Sequence, residues 1–400
     1  MAMKIERWYS KVIKAHIGKY RQMLFLSGPR QVGKTTLAKE FATDYLDWDN
    51  IDVRTAILKG ADAVAGRLGL ERLAASKVVA FDEIHKYAKW KDFLKGFFDT
   101  YEDRVKLIAT GSARMDIYGK GGDSLMGRYF PYRIHPLSVA ELLGGEVGEE
   151  PVRAPRPLAE EEWRVLWTHG GFPEPFVRRE MAFTRRWRTL RYSQLLKRDI
   201  LDVCHVQELG QMEVLAKMLA ARSSDQIVLS SLATEVRVSE NTVREWIAVF
   251  KALYYGFTVS PYAKNIENSL RKTPKWYLRD WASPGLDDGK KSETFVACHL
   301  LKAVEGWTDL GIGDFDLHYL RDKKKREVDF LVVRDGAPWF LVEVKKSEEA
   351  LSPNLAFFQK MTGAKHAFQV VCDAPYVDAD CFSRTDPVVV PARTFLSQLI

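Results

Sequence analysis

The sequence predicts an α/β fold with two or three domains, and three observations support this prediction. Short apolar runs alternate with helical patterns over the first 110 residues, as in a parallel sheet covered by helices. A similar alternation of helix and strands returns after residue 290. The chain has 400 residues, which is more than one hydrophobic core supports.

The N-terminal strands and helices follow from the apolar pattern. The run at 23–27 predicts a strand that a Gly-Pro pair ends, and residues 36–41 predict the start of a helix. Residues 77–81 and 105–109 are almost entirely apolar and predict two more buried strands. These elements predict a parallel sheet in the first domain.

Composition shifts divide the rest of the chain. Residues 144–162 are rich in Gly, Pro and Glu, which is typical of an exposed connector, and residues 283–289 form a second turn-rich boundary. The chain is predicted to divide into an N-terminal α/β domain at 1–145, a connector and helical region at 146–222, a winged helix-turn-helix at 223–284 and a second α/β domain at 285–400.

Composition also predicts the cellular environment. No apolar run approaches the roughly 20 residues that span a bilayer, and the first thirty residues lack the apolar core of a signal peptide. We therefore expect a cytoplasmic protein with no membrane partner. The cysteines Cys204, Cys298, Cys372 and Cys381 are isolated in sequence and predict neither a disulfide framework nor a zinc site.

The net charge of +7 permits an anionic partner, and the excess is concentrated at 177–198. Phe183, Trp187 and Leu190 fall on one stripe at helical spacing, which predicts a helix with a core-facing edge. Its arginines either contact a phosphate backbone or form a solvated face paired with acids elsewhere. The residues considered for nucleic-acid contact are Arg178, Arg185, Arg186, Arg188, Arg244 and Lys272.

A glycine-rich segment after the first strand carries the phosphate-binding pattern G-x-x-x-x-G-K-S/T. The glycines let backbone N–H groups turn toward phosphates, and the following helix N-terminus adds its positive dipole end. Lys34 is expected to reach the β- and γ-phosphates of ATP, and the Thr35 hydroxyl to ligate Mg²⁺. The residues predicted to bind the nucleotide are Gly28, Pro29, Arg30, Gln31, Val32, Gly33, Lys34, Thr35 and Thr36.

Two adjacent acids end the second apolar strand. Asp82 is expected in the outer shell of the metal, and Glu83 at a position where it polarises a water molecule. Such a pair at the end of an apolar strand would be costly without an ion to serve. The two motifs together predict hydrolysis of ATP.

Polar and basic residues after the third strand are further candidates for the site. Thr110 or Ser112 could sense the γ-phosphate, although Ser112 could equally cap a helix. Arg114 and Arg128 are candidates to stabilise charge in the transition state, with a structural ion pair as the alternative for each. An arginine acting in trans would require a homo-oligomer, for which a hexameric ring is one form.

These motifs together resemble a family of bacterial and archaeal AAA-type ATPases with a winged-helix segment and a C-terminal domain of unknown function. The resemblance implies an ATPase core and extends over nearly the whole chain. The matching segments are GPRQVGKTTL (28–37), VVAFDEIHK (78–86), ATGSARM (109–115), GRYFPYRIHPLSVAEL (127–142), GGFPEP (170–175), KRDI (197–200), EVDFLVV (327–333) and LVEVKKS (341–347).

The segment 228–253 is predicted to form a helix-turn-helix in which Ser239 caps the second helix. The exposed face of that helix mixes Arg244 with Glu240 and Glu245, which weakens the case for a helix in the major groove. Contact with nucleic acid and docking of a protein both remain open.

The C-terminal acids resemble the signature of the PD-(D/E)XK nuclease fold. The resemblance implies Asp329 and Glu343 as metal ligands, Lys345 as the residue that orients water, and Glu293 as a supporting acid. A three-residue loop at 335–337 would place Asp329 opposite Glu343 on one face, whereas a two-residue loop would split them between faces. The alternative is a retained fold that does not cleave.

Function therefore has two leading interpretations. The first is a Mg²⁺-dependent ATPase that couples ATP hydrolysis to binding or remodelling of duplex or branched DNA, with or without a nuclease at the C-terminus. The second is an ATP-dependent signalling or defence switch that binds protein partners. DNA stimulation of ATP turnover distinguishes them.

Overall fold

The computed structural model describes residues 5–70, 76–111, 125–145, 148–196, 200, 208–262, 273–347 and 350–400. These residues form two compact units that divide between His135 and Pro136. Within the described residues, no helix has both the length and the apolar character that crossing a bilayer requires.

The described strands of the N-terminal unit form one parallel sheet in the order β2-β3-β4-β1-β5. The strands are β1 (Met23–Ser27), β2 (Asp44–Asp47), β3 (Lys77–Asp82), β4 (Val105–Gly111) and β5 (Tyr129–Arg133). The helices are α1 (Trp8–Lys19), α2 (Lys34–Phe41), α3 (Ile51–Lys59), α4 (Ala61–Leu68) and α5 (Trp90–Tyr101), with a 3-10 turn at Ile84–Lys86.

Burial of apolar side chains explains why these segments form a covered sheet. All five residues of β1 are buried, and β4 is buried at six of its seven positions. The helix α5 places Phe93, Leu94, Phe97 and Phe98 on one buried face, which joins the core that includes Phe81 of β3. The result is a sheet whose C-terminal strand ends meet at one edge.

The C-terminal unit contains helices followed by a second sheet. Its helices are α6 (Val139–Leu142), α7 (Glu160–His169), α8 (Pro173–Arg178), α9 (Met181–Gln194), α10 (Leu209–Ala221), α11 (Leu229–Val236), α12 (Glu240–Ala252), α13 (Asp288–Asp309), α14 (Pro353–Thr362) and α15 (Ala392–Ser397). Its strands are β6 (Gly256–Pro261), β7 (Lys275–Leu278), β8 (Phe315–Arg321), β9 (Glu327–Arg334), β10 (Ala337–Lys345), β11 (His366–Val371) and β12 (Val388–Pro391), with a 3-10 turn at Cys381–Ser383.

One mixed sheet joins the described strands of this unit, in the order β12-β11-β10-β9-β8-β6-β7. The hairpin β6–β7, predicted as part of the winged helix, enters this sheet because β6 pairs with β8 through Ser260 and Pro261. The predicted α/β class, with a parallel N-terminal sheet, a helical middle region and a second sheet, is confirmed. The domain boundaries at 145, 222 and 284 stay predictions.

The arginine-rich helix differs from its prediction. Arg179 adopts a left-handed φ of 57° at the end of α8, so α9 begins at Met181 rather than 177. The predicted core-facing stripe was wrong at Leu190, which is 55% exposed. Trp187 is buried as predicted, together with Thr184, and the Arg191 guanidinium packs 3.9 Å from the centroid of the Phe172 ring.

Candidate nucleotide site and C-terminal acid cluster

The predicted phosphate-binding loop lies between β1 and α2, as its motif requires. Gly28 has a φ of 150°, and a side chain there would collide with the carbonyl oxygen of Ile134. Gly33 has a φ of 103° and precedes the first turn of α2. The backbone thus needs glycine at both positions, and it leaves the N-terminus of an eight-residue helix facing the loop.

Lys34 is the first residue of α2 and is buried at 6% exposure. Its Nζ donates hydrogen bonds to the carbonyl oxygens of Gly28 and Pro29, each at 2.8 Å. The ammonium group therefore lies inside the loop that the sequence assigns to phosphate. Among the remaining loop residues Val32 is buried, whereas Gln31 and Thr36 are exposed.

A buried arginine that was not predicted as a site residue donates hydrogen bonds to this loop and to the strand end beside it. Arg7 is 7% exposed, and it donates from Nη1 to the Val32 carbonyl and from Nη2 to the His135 carbonyl, both at 2.6 Å. The two acceptors lie 25 and 128 residues from Arg7 in sequence, so no local pattern could reveal the contact.

Asp82 is the last residue of β3 and lies beside the loop. Its Oδ2 accepts a hydrogen bond from Thr35 Oγ1 at 3.0 Å and another from the Tyr45 hydroxyl, while its Oδ1 accepts one from Thr110 Oγ1. Burial and then the hydrogen bond to Asp82 raise the pKa of the Tyr45 hydroxyl, which therefore stays protonated as a donor. Tyr45, on the neighbouring strand β2, was not predicted as a site residue.

The oxygen donors at this point fit a magnesium ion held together with a nucleotide. Mg²⁺ prefers oxygen ligands and usually binds through one or two protein groups plus substrate phosphates. The Thr35 hydroxyl and the Asp82 carboxylate are such groups, and they are already adjacent.

Glu83 follows in a left-handed conformation with φ 54° and ψ 25°, which turns it out of the strand. Its backbone N–H donates to Thr110 Oγ1 at 3.3 Å. Its Oε2 lies 3.6 Å from Lys86 Nζ and 3.8 Å from His85 Nε2, and within the described residues this oxygen accepts no hydrogen bond. Burial lowers the pKa of His85, and the Glu83 charge opposes that shift.

Of the two arginines predicted to stabilise charge in the transition state, the structure describes only Arg128. Arg128 forms a two-point ion pair with Asp99 of α5, at 2.7 Å and 2.9 Å. Arg114 and Ser112 lie outside the described residues. A role for either arginine at the phosphates stays a prediction.

The predicted nuclease acids come together in the C-terminal unit, although the loop before them is the two-residue one that was expected to split Asp329 and Glu343 between faces. The β9–β10 loop has two residues, Asp335 and Gly336, both with positive φ, as in a tight hairpin. A register shift between Pro338 and Phe340 then inserts one extra residue, so that Val342 pairs with Phe330. The same register continued by one step sets Glu343 opposite Asp329.

Lys275 of β7 enters this acid cluster, although it was not predicted as a site residue. Its Nζ lies 2.9 Å from Glu293 Oε1, 2.6 Å from Glu327 Oε1 and 3.2 Å from Asp329 Oδ1. Burial by itself lowers the pKa of Lys275, but the three carboxylates raise it above its ordinary value. The sequence gives one sign of this buried charge, which is a lysine at the start of the apolar run KWYL.

Burial and then the Asp329 charge raise the pKa of two carboxyls, to about 7 for Glu293 and about 8 for Glu343. Lys345 Nζ lies 3.4 Å from Glu343 Oε1, on the outer side of the cluster. Within the described residues, no group of three or more His, Cys, Asp or Glu is arranged to hold a metal ion. The roles predicted for Asp329 and Glu343 as metal ligands stay predictions.

The residues predicted to contact nucleic acid differ in exposure and in their contacts within the fold. Arg178, Arg185, Arg186 and Arg244 are exposed, and Arg244 donates to the Asn241 side chain at 2.6 Å. Arg188 is instead held by Asp280 and by the His169 carbonyl, each at 3.0 Å. Lys272 lies outside the described residues.

Comparison with known proteins agrees with the N-terminal site. Residues 20–143 match the family model of an AAA domain. An AAA-type fold supports binding of ATP, and the loop around Lys34 is where such a nucleotide would lie. Residues 160–282 and 288–381 match two domains of unknown function, DUF8612 and DUF4143.

Two curated relatives are uncharacterized proteins from Mycobacterium bovis and Mycobacterium tuberculosis. Each is 24% identical in an alignment 343 residues long, and the match covers 81% of this chain and 70% of the relative. Among solved structures, a RuvB variant from Thermotoga maritima is 17% identical, with a TM-score of 0.29 over 62% of this chain and 85% of its own. PCH-2 from C. elegans is 13% identical, with a TM-score of 0.23 over 60% of this chain and 65% of its own.

Proposed function

We propose that this chain is a Mg²⁺-dependent ATPase. The observation that carries the proposal is the contact of Thr35 Oγ1 with Asp82 Oδ2 at 3.0 Å, directly beside the loop that contains the buried Lys34 ammonium. A hydroxyl, a carboxylate and a lysine in this relation are the parts with which a phosphate-binding loop holds a nucleotide and its metal.

Each side chain has a separate task in this proposal. Lys34 exchanges its two carbonyl acceptors for phosphate oxygens, and Thr35 and Asp82 hold the metal. Glu83, with one carboxylate oxygen that accepts no hydrogen bond from the described residues, orients and polarises the attacking water. Bound Mg²⁺ would neutralise charge on the phosphates during their transfer.

The test compares ATP binding and ATP turnover in the Glu83→Gln and Lys34→Ala proteins. Glu83→Gln should keep ATP affinity and lose turnover by roughly a hundredfold or more, because only the water is no longer activated. Lys34→Ala should lose affinity itself. Normal turnover in Glu83→Gln would remove Glu83 from its proposed role, and ATP binding unchanged in Lys34→Ala would reject the site.

We propose further that turnover is coupled to DNA through the arginines of α8 and α9. Arg178, Arg185 and Arg186 are exposed, whereas Arg188 is held by Asp280 and Arg191 by packing. The exposed members thus remain as a basic surface on a helix anchored by its other face. Such a surface suits phosphate contacts, whose strength falls with salt.

The second test measures ATP turnover with single-stranded, duplex and branched DNA at several salt concentrations. Arg185→Glu/Arg186→Glu should lose the stimulation and reduce its salt dependence. The matched control is Lys59→Glu/Arg67→Glu, which makes the same charge change at two exposed residues of the N-terminal unit. Equal loss in both variants would indicate a net-charge effect and not a DNA site.

A second function, a nucleotide switch for protein partners, is favoured by one surface. The outer face of α12 exposes Glu240 and Glu245 beside Arg244, whose guanidinium already bonds Asn241. This mixed charge suits a protein surface better than a DNA groove. Slow turnover, tight nucleotide retention and no response to any DNA would support the switch. Sedimentation with and without ATP tests the expected homo-oligomer.

A further inference from the structure

The acid cluster of the C-terminal unit is assembled around a cation that belongs to the chain itself. Four carboxylates converge there, from Glu293 on α13, Glu327 and Asp329 on β9, and Glu343 on β10. The side chain of Lys275 is 5% exposed, and its Nζ lies within 3.2 Å of the first three. An ammonium group has three donors, and three carboxylates are present to accept them.

The remaining contacts of these acids also come from within the fold. Glu293 Oε1 accepts a second hydrogen bond, from the Tyr277 hydroxyl at 2.6 Å. Asp329 Oδ2 accepts the backbone N–H of Val344 at 2.9 Å, which fixes the carboxylate against β10. Glu327 Oε2 accepts from Arg321 at 2.7 Å. Both carboxylate oxygens of Asp329 and both of Glu327 are therefore in contact with donors of the chain.

The backbone of Lys275 is held from the opposite side by the helical middle region. The flanking residue Trp276 is completely buried in the core that includes helices α10 to α12, and its N–H donates to the Asp225 carbonyl at 3.0 Å. The Ile227 N–H likewise donates to the Pro274 carbonyl at 2.9 Å. Lys275 thus has its main chain in the winged-helix segment and its charge in the nuclease-like segment.

We propose that Lys275 takes the place of the divalent metal in this acid cluster, and that it thereby ties the β6–β7 hairpin to α13 and β9. A metal bound to the same oxygens would meet the ammonium at close range, and two cations repel each other there. The cluster accordingly serves cohesion of the C-terminal unit and does not support metal-dependent cleavage. This inference is independent of the ATP site.

The experiment uses the full chain. Thermal unfolding is measured once in EDTA and once in millimolar Mn²⁺, and the number of Mn²⁺ ions bound per chain is measured separately. Lys275→Met keeps the alkyl stem and removes the charge, so it should lower the melting temperature in EDTA. It should also gain one bound Mn²⁺ per chain and recover part of its stability with the ion. The wild-type protein should show no Mn²⁺-dependent rise.

Lys345→Met is the matched control because Lys345 borders the same cluster but is 27% exposed and contacts Glu343 at 3.4 Å. It should not acquire a Mn²⁺ response. The double variant Lys275→Met/Asp329→Asn removes one uncompensated acid, so it should regain stability without Mn²⁺. Equal Mn²⁺ responses in the two single lysine variants would overturn the proposal.

A wild-type measurement keeps the proposal testable if Lys275→Met does not fold. Mn²⁺ binding should be the same for the wild-type chain and for Asp329→Asn, because Asp329 binds no metal in the wild-type chain. Loss of a bound Mn²⁺ in Asp329→Asn, or DNA cleavage by the wild-type protein that Asp329→Asn abolishes, would overturn it.

Discussion

The two acidic sites of this protein look alike in sequence and differ in what surrounds the acids. At the end of β3, Asp82 accepts hydrogen bonds from the hydroxyls of Thr35, Tyr45 and Thr110. In the C-terminal unit, Asp329 is bonded to the Lys275 ammonium and a backbone N–H. Hydroxyls leave the carboxylate with its charge, whereas the single ammonium of Lys275 offsets part of the negative charge of the three carboxylates that it contacts. Acids on a strand therefore predict a metal site only when the compensating group is known.

The sharpest way to break this comparison is to neutralise each aspartate in turn. Asp82→Asn should lower ATP turnover by about a hundredfold or more, because it removes a charge that holds the metal at the phosphates. Asp329→Asn should leave turnover per folded molecule unchanged while altering thermal stability. Turnover assays at increasing Mg²⁺, with melting curves for both proteins, measure the difference. A turnover defect of equal size in Asp329→Asn would show that the two sites are coupled.

A smaller effect, on ATP affinity, is expected from removing Arg7, which contacts the phosphate-binding loop from outside it. Arg7→Ala removes the donors of two carbonyl groups, those of Val32 and His135, and should weaken ATP binding roughly tenfold. Arg21→Ala is the control, since Arg21 forms an exposed ion pair with Glu102, and such pairs contribute on the order of 1 kcal/mol or less. Calorimetric titration of both variants with ATP measures the two affinities. Unchanged affinity in Arg7→Ala would mean that the loop holds its shape without the guanidinium.

The smallest effect concerns one hydroxyl beside Asp82. Tyr45→Phe removes a donor and leaves the ring in place, so the Mg²⁺ concentration for half-maximal turnover should change roughly threefold to tenfold. The corresponding change at the other site, Tyr277→Phe, removes the donor to Glu293 and should leave the Mg²⁺ dependence unaltered. A larger shift for Tyr277→Phe than for Tyr45→Phe would contradict the division of roles between the two sites.

The parts of the fold that the sequence predicted share a local cause. The runs at 23–27, 77–81 and 105–109 predicted β1, β3 and β4 because continuous apolar strands are buried on both faces. Ser239 was predicted as a helix cap, and its hydroxyl accepts the Thr242 N–H at 3.1 Å. The Leu190 prediction failed because a helix offers several neighbouring stripes, and the packing of Trp187 and Arg191 selects among them.

By itself, the sequence determined that an α/β domain places Lys34 and Thr35 after a strand and Asp82 at the end of another. Local spacing suffices there, because parallel strands bring their C-terminal ends to one edge. Only the tertiary structure decided which charges meet. The Lys275–Asp329 contact joins residues 54 apart, and the Glu343 register depends on an extra residue near Pro338. Neither is encoded in a periodic pattern, because burial and pairing between distant segments set both.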